Sequence, residues 1–259
     1  MLKIMDRTAV ILCGGRGTRL GFLGKKTPKT LIKIQGKPIL WYIINFLKNN
    51  NFNHFILPVG YKGRMIKNYI KRNLFKNIDI EIINTGLNST IAKRIEKIKK
   101  KIKSKHFLLL NGDAIFNFNI KNFFDLHFYG KKNITFIGSQ AQLPYGTIGV
   151  VGNKVINFER NVTFNAILKS NLKNFKGYLY SGISIINSKL LKFNFKNFEN
   201  FEKKFYPLAI KKGKVVFKNL NGFWHSIDNL KDIEILNKDK KKRIAIIKLK
   251  KLILKKNEE

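Results

Sequence analysis

An apolar run that leads directly into a glycine-rich loop is the feature that most restricts how this chain can fold. Residues 8–13 predict a buried strand, and the sequence GGRGTRL follows at positions 14–20. Glycines let backbone N–H groups approach phosphate oxygens closely, and ligands of open α/β sheets bind at the carboxyl ends of strands. The spacing matches neither the dinucleotide-binding fingerprint nor a Walker A loop. The segment therefore predicts an anion-binding loop at one edge of an α/β sheet.

Segments of alternating type predict a layered α/β fold. Apolar runs typical of strands alternate with segments whose apolar residues recur every three or four positions, as on one face of a helix. The order predicts one α/β domain with a doubly wound, mostly parallel mixed sheet and a strand-rich second half. Strands are predicted at 8–13, 54–59, 78–83, 106–110, 133–138, 146–151, 155–158, 178–186 and 215–218. Helices are predicted at 38–49, 62–74, 90–102, 187–192 and 201–212, and another after Asp228.

The charge of the chain is strongly positive but is a poor guide to its partner. The formal net charge is +37, from 52 Lys and Arg against 15 Asp and Glu, a balance found in proteins that bind nucleic acid or anionic membranes. However, 44 of the 52 are lysines spread along the whole chain, and arginine, which forks onto phosphate and guanine, supplies only eight. We therefore predict no specific nucleic-acid ligand, and a nucleic-acid or membrane-surface binder remains the alternative.

The cysteine count and the length of the apolar runs exclude further classes of protein. The single cysteine, Cys13, excludes an intrachain disulfide and is predicted to be buried and inert. No apolar run approaches the length of a membrane span, and the apolar stretch near the first residues is too short for a signal peptide. The expectation is a cytoplasmic protein.

Carboxylates are scarce in this chain, so the position of each one is informative. Asp113 follows the strand predicted at 106–110, which puts it at the same sheet edge as the glycine loop. Asp228 precedes a predicted helix, a position typical of an N-cap. Asp232 is expected to be a solvated charge on that helix. The histidines show no paired spacing typical of a zinc site, and His225 is expected to be structural.

Several ordered motifs carry a resemblance to a known family. GGRGTRL at 14–20, TPKTL at 27–31 and GKPIL at 36–40 resemble the signature of the sugar-1-phosphate nucleotidyltransferases. Further similar segments at 60–70, 85–95, 111–120 and 222–232 resemble most the members that are glucose-1-phosphate cytidylyltransferases. The resemblance covers about residues 8–238 and implies the Rossmann-like fold of that family.

The resemblance implies a reaction and a set of site residues. An NTP, by this likeness CTP, would react with a sugar 1-phosphate, by this likeness glucose 1-phosphate, to give an NDP-sugar and pyrophosphate for surface-polysaccharide synthesis. Such catalysis is positioning plus neutralisation of phosphate charge. Mg²⁺ is the implied cofactor and a homo-oligomer the implied assembly. The implied catalytic residues are Arg19 and Lys29, and the metal ligands Asp113 and Asp228. Nucleotide binding falls to Gly14, Gly15, Gly17, Thr18, Thr85, Gly86 and Arg94, and sugar-phosphate binding to Gly146, Arg160 and Gly182.

The chain departs from the family pattern at three places, which leaves alternatives open. Thr30 stands where the family has the second proline of Pro-Lys-Pro, and Arg160 where it has the lysine that meets the sugar phosphate. Ala92 and Lys93 replace a glycine pair of the cytidylyltransferases. The alternatives are a guanylyl- or thymidylyltransferase that acts on another sugar 1-phosphate, and a non-catalytic nucleotide-binding homologue.

The chain is predicted to divide into a domain at 1–237 and a basic tail at 238–259. Within the domain, about residues 1–130 would bind the nucleotide and 131–237 the sugar. The tail alternates lysine clusters with apolar residues. We expect it to form a helix packed on the domain or on a partner subunit, rather than on an anionic membrane surface.

Overall fold

A seven-stranded mixed sheet forms the centre of the molecule, which a computed structural model describes over residues 7–73, 75–139, 147–159 and 178–258. The strands are β1 (Thr8–Leu12), β2 (Lys33–Ile34), β3 (Lys37–Pro38), β4 (His54–Val59), β5 (Asp79–Asn84), β6 (His106–Asn111), β7 (Ala114–Phe118), β8 (Ile134–Ser139), β9 (Thr147–Val151), β10 (Lys154–Glu159), β11 (Leu179–Asn187), β12 (Val215–Asn219) and β13 (Gly222–Ser226). The sheet order is β12-β8-β11-β6-β1-β4-β5, in which β11 is antiparallel to both neighbours and the other pairs are parallel. The predicted fold class is confirmed.

Helices cover both faces of this sheet. Successive side chains of a strand point to opposite faces, and in β1 both sets are buried: Ala9 and Ile11 pack in one apolar cluster, Val10 in the other. This explains why β1 reads as a continuous apolar run. The helices are α1 (Gly21–Lys26), α2 (Ile39–Lys48), α3 (Gly63–Arg72), α4 (Ile91–Ile98), α5 (Lys121–Tyr129), α6 (Phe201–Lys211), α7 (Leu230–Lys238) and α8 (Lys240–Glu258). Helices α2, α5 and α8 pack on the first face, and α4 and α6 on the second.

A two-stranded antiparallel ribbon of β7 and β13 lies outside the main sheet and determines where two carboxylates meet. The ribbon pairs Ala114 with Ser226, and the Ile227 amide donates to the Asp113 carbonyl oxygen at 2.8 Å. Asp113 immediately precedes β7, and Asp228 follows β13 by two residues. The pairing therefore joins two aspartates that are 115 positions apart at the carboxyl end of β6.

The predicted elements are largely present, with additions. Strand β4 has the predicted bounds, and β1, β5, β6 and β8–β12 differ from prediction by one residue at one or both ends. The segment predicted as a helix at 187–192 is a 3₁₀ turn, Ser188–Lys192. The helix predicted at 90–102 ends at Ile98 and continues as a 3₁₀ turn. The sequence pattern did not predict α1, α5, β7, β13 or the short β2–β3 pair.

The basic tail forms a helix that packs on the domain. Ile246, Leu249 and Ile253 of α8 are almost fully buried within the same apolar cluster as α2. The Lys250 ammonium donates to the Gln35 carbonyl at 2.9 Å. The tail thus packs on the domain, one of the arrangements expected from the sequence. Over the described residues, none of the helices is both long and apolar enough to span a bilayer.

Candidate active site

The glycine loop (residues 14–17) lies at the carboxyl end of β1, and in the described part of the chain its backbone amides have no hydrogen-bond acceptor. Gly17 has a left-handed φ of 62° and precedes the 3₁₀ turn Thr18–Leu20. Gly24 of α1 lies directly against the loop, since a Cβ there would be 2.4 Å from the Gly17 carbonyl oxygen. Successive unpaired amides of this kind form an anion-binding concavity.

A buried arginine supports this loop from behind. The Arg94 side chain, on α4, donates from Nη2 to the Gly14 carbonyl at 2.9 Å and from Nη1 to the Val59 carbonyl at 3.2 Å and to Thr85 Oγ1. Thr85 is fully buried and also donates to Val59. Burial lowers the pKa of Arg94. Because all three acceptors are uncharged, the guanidinium adds positive potential at the loop. Both residues are predicted nucleotide ligands, and the structure places their side chains behind the loop.

Four predicted site residues form a charged cluster beside the loop. The Lys29 ammonium lies between two carboxylates, 2.8 Å from Asp113 Oδ2 and 3.1 Å from Asp228 Oδ1. Arg19 Nη1 is 3.5 Å from the same Asp228 oxygen. The Lys29 side chain is only 16% exposed, whereas that of Arg19 is 78% exposed. The two cations predicted to be catalytic and the two aspartates predicted to bind metal therefore lie together.

The ionisation of Asp228 is controlled by this cluster. Its partial burial disfavours the charged form, but Lys29, the Ser226 hydroxyl and Arg19 outweigh burial and hold the pKa of Asp228 below its ordinary value. Ser226 Oγ donates to Asp228 Oδ2 at 3.1 Å. Asp228 is thus ionised at neutral pH, with both carboxylate oxygens engaged.

The N-terminus of α7 shows why Asp228 remains free for this cluster. Asn229, not Asp228, is the N-cap, and it forms a capping box with Asp232. Asp232 Oδ2 accepts from the amides of Asp228 at 2.7 Å and Asn229 at 2.9 Å. The expectation that Asp232 is a solvated charge is wrong, because capping the helix requires its carboxylate. Asp232 thereby fixes the backbone that positions Asp228.

The remaining predicted residues lie at the same sheet edge at different depths. Thr18 is exposed at a cleft of about 270 Å³ beside α1. Gly86, with a φ of 101°, follows β5. Gly182 interrupts the pairing of β11 with a φ of 75°, and a Cβ there would be 2.6 Å from the Asn111 side-chain amide. Two predicted sugar-phosphate residues, Gly146 and Arg160, lie outside the described residues.

Three histidines and the cysteine have no part in this cluster. Cys13 is buried, and burial raises the pKa of its thiol. Burial and, next, Lys242 lower the pKa of His225 to about 4. His106 Nδ1 and His127 Nε2 are 2.8 Å apart, and burial lowers both pKa values, to about 4 and about 3. These contacts agree with structural roles.

A second cluster of carboxylates, which the sequence pattern does not predict, lies at the opposite edge of the sheet. His54, Asp79 and Glu81, at the first residues of β4 and β5, have ligand atoms within 4.8 Å of one another and could hold a metal ion. Lys101 Nζ already lies 3.1 Å from Glu81. Pairing of the two strands brings these residues together, which a search by sequence spacing does not detect.

Comparisons with known proteins agree with this geometry. The chain matches the Nucleotidyl transferase family over residues 8–243. A protein of Bacillus subtilis (strain 168) named probable glucose-1-phosphate cytidylyltransferase is 28% identical over 251 residues, which are 89% of this chain and 94% of that protein. The mannose-1-phosphate guanylyltransferase catalytic subunit beta of Xenopus tropicalis is 28% identical over 232 residues, 86% of this chain and 62% of that protein. The solved structure of HddC from Yersinia pseudotuberculosis has a TM-score of 0.65 at 22% identity, covering 88% of this chain and 96% of that one.

Proposed function

Because the chain belongs to the nucleotidyl transferase family, we propose that it transfers a nucleotidyl group from an NTP to a sugar 1-phosphate and releases pyrophosphate. The observation that carries this proposal is the Lys29 ammonium between Asp113 and Asp228, beside a loop of free amides. Cations and amides converge where a triphosphate would lie, and two carboxylates complete the site. This set of groups suits phosphate chemistry and does not resemble a nucleophile with its general base.

In this reaction an oxygen of the sugar phosphate attacks the α-phosphorus in line, and pyrophosphate leaves. The free amides of residues 14–17 would hold the triphosphate. Arg19, whose side chain is exposed, would neutralise the leaving pyrophosphate, and Lys29 would neutralise the charge that builds at the α-phosphate. Arg94 would act through the loop, because its guanidinium holds the Gly14 carbonyl that fixes the cradle.

The two aspartates fit a divalent metal ion, for which we propose Mg²⁺. Asp113 Oδ2 and Asp228 Oδ1 both lie within hydrogen-bond distance of one ammonium, so they can share one cation. Carboxylate oxygens together with phosphate oxygens are the ligands that Mg²⁺ prefers. When bound, the metal would neutralise phosphate charge and orient the triphosphate. Lys29 would then give up at least one carboxylate and turn its ammonium towards the phosphates.

The sugar 1-phosphate would enter from the second half of the chain. Gly182 supports this, because its left-handed backbone next to Asn111 brings β11 close to the carboxyl end of β6. By sequence, Gly146 and Arg160 would contribute to the same side. We also propose the division into a nucleotide-binding part to about residue 130 and a sugar-binding part to 237.

For the substrates we propose CTP and glucose 1-phosphate, in line with the likeness to the Bacillus subtilis protein. The Xenopus relative is a guanylyltransferase of similar identity, so GTP with mannose 1-phosphate is the second candidate. The test is pyrophosphate release from CTP, GTP, UTP and dTTP, each with glucose 1-phosphate and mannose 1-phosphate. The proposal predicts release with CTP and glucose 1-phosphate above every other pair. Release with no pair would contradict the transferase and favour a non-catalytic nucleotide-binding homologue.

A further inference from the structure

A cavity of about 1160 Å³ opens at the sheet edge opposite the glycine loop. It is lined by His106 at the first residue of β6, Asn187 at the last residue of the antiparallel β11 and Lys214 just before β12. The carboxyl end of β6 carries Asp113, so the length of the sheet separates this cavity from the proposed active site. The proposed function makes no use of it.

Lysines dominate the lining far beyond their share of the chain. Seven of the 13 lining residues are lysines and none is acidic, whereas lysine makes up 44 of the 259 residues of the chain. Lys99 pairs with Glu96 at 2.9 Å. In the part of the chain that the structure describes, the other six form no ion pair with a carboxylate: Lys100, Lys105, Lys131, Lys189, Lys192 and Lys214. We refer to this cavity as the lysine cleft.

Like charges around a concave wall repel one another and focus a positive potential into the cleft. An anion with several charges would relieve the repulsion at many lysines at once. The lining also has an apolar part, formed by Ile102, Phe128 and Leu191. The Phe128 and His106 rings lie edge to face with their centroids 4.8 Å apart. The cleft thus combines a cationic rim with an aromatic and aliphatic wall.

We propose that the lysine cleft binds a small anion that carries two or more phosphates and a flat apolar group, the chemical class of nucleoside di- and triphosphates. The volume exceeds what such a ligand needs, since ligand pockets typically measure about 300–1,000 Å³. Phosphates would contact the lysines, and the flat group would stack beside Phe128. A concave cleft with lysine and no arginine in its lining suits a small oligophosphate better than base readout of a nucleic acid.

His106 provides a reporter inside the cleft. Burial is the first cause of its lowered pKa, and Lys105 and Lys189 add to the lowering, so the ring senses the field of the lysines. A bound anion would change that field and shift the ring signals of His106. His225 lies at the other edge, where burial and then Lys242 lower its pKa, while Asp232 and Asp228 raise it. The two histidines therefore report separately on the lysine cleft and on the proposed active site.

The experiment titrates the protein with ATP and with tripolyphosphate in 150 mM salt without Mg²⁺, following histidine ring signals by NMR and binding by calorimetry. We expect ATP to shift the His106 signals and tripolyphosphate to bind the same cleft more weakly. Lys105→Gln with Lys189→Gln should weaken this binding step about tenfold. The matched control, Lys203→Gln with Lys204→Gln on the exposed start of α6, removes the same charge and should leave the affinity unchanged.

Three results would overturn the proposal. The first is a His106 signal that stays fixed while only His225 responds, which would confine oligophosphate binding to the active site. The second is equal affinity in the two double variants. The third is cleft-dependent binding of anionic vesicles or of a 20-nucleotide single strand where ATP and tripolyphosphate fail to bind. A further result, tripolyphosphate binding as tightly as ATP, would disprove the part of the proposal that gives the ligand a flat apolar group. Pyrophosphate release tests the proposed function independently of all these outcomes.

Discussion

The two edges of the central sheet use the same kinds of charged residue in opposite ways. At the carboxyl edge, Lys29 is mostly buried and contacts two carboxylates at 2.8 and 3.1 Å. At the opposite edge, six lysines surround a cavity without a carboxylate partner among the described residues. Lys29 is therefore held by specific ion pairs, whereas the lysines of the opposite edge create a diffuse positive potential. Among the described residues, Lys29 is the one lysine whose ammonium pairs with two carboxylates, so its partners and not its residue type distinguish it.

Substituting one carboxylate at each edge gives the sharpest test of this contrast. Asp113→Asn keeps the shape of the side chain but removes the charge that faces Lys29. We expect pyrophosphate release to fall by about 10³-fold, the size of loss seen when one electrostatic group is removed from a preorganised site. Steady-state kinetics with the preferred NTP would measure it.

The matched control is Asp79→Asn in the group with His54 and Glu81 at the opposite edge, where the Asp79 side chain is 71% exposed. The rate of pyrophosphate release by this variant should stay within about twofold of the wild type, since the electrostatic interactions of an exposed carboxylate are weak. An equal loss in both variants would contradict the assignment of the catalytic site to Asp113, because Asp79 lies at the opposite edge of the sheet.

A second test concerns two arginines of contrasting burial. Arg94→Met removes the donor to the Gly14 and Val59 carbonyls and leaves both buried acceptors without it. We expect a loss of about 3 kcal/mol in the free energy of unfolding, measured in urea. Arg72→Met, on the exposed end of α3, is the control and should cost less than about 0.5 kcal/mol. A stability loss of equal size in both would show that the loop does not depend on Arg94.

The sequence predicted the sheet because its central strands are apolar on both faces, and that signal is local. It missed β7 and β13, because Ala114–Phe118 and Gly222–Ser226 are short, mix apolar and polar residues, and become strands by pairing with each other. Helix α5 was missed since Asn and aromatic residues weaken its helical signal.

The site shows a similar limit. Motifs predicted that Lys29, Asp113 and Asp228 belong to one site, but no spacing predicts that one ammonium touches two carboxylates, one of them 199 positions away. Arg94 was assigned to the nucleotide by the resemblance, and its hydrogen bond to the Gly14 carbonyl, 80 positions away, could not be predicted from the sequence. The capping role of Asp232 was missed although its partner Asn229 lies three residues before it, a spacing that could have revealed it.

The pH dependence of stability should differ between the two edges of the sheet. The larger effect is expected at the histidine edge. His127 is fully buried, and burial, followed by the nearby His106, lowers its pKa to about 3. In the unfolded chain this ring binds a proton near pH 6.5, so the folded state loses stability as pH falls through that value. The wild type should lose about 2 kcal/mol more than His127→Gln between pH 7 and pH 5. Between pH 9 and pH 7 the difference between the two proteins should stay constant, and a change there would point to another titrating group.

The carboxylate edge should respond in a lower window and more weakly. The pKa of Asp228 is depressed in the fold, so its ionised form contributes stability above its unfolded pKa, near 3.8, and that contribution disappears as pH falls through the lower folded value. Since the side chain is 39% exposed, solvent screening limits the contribution to under about 1 kcal/mol. Asp228→Asn should therefore be slightly less stable than the wild type at pH 6–7 and equal to it near pH 2, as measured by urea unfolding across that range. If the deficit of the variant instead disappears between pH 7 and pH 5, the histidine edge controls both windows, and Lys29 does not hold Asp228 in the ionised state.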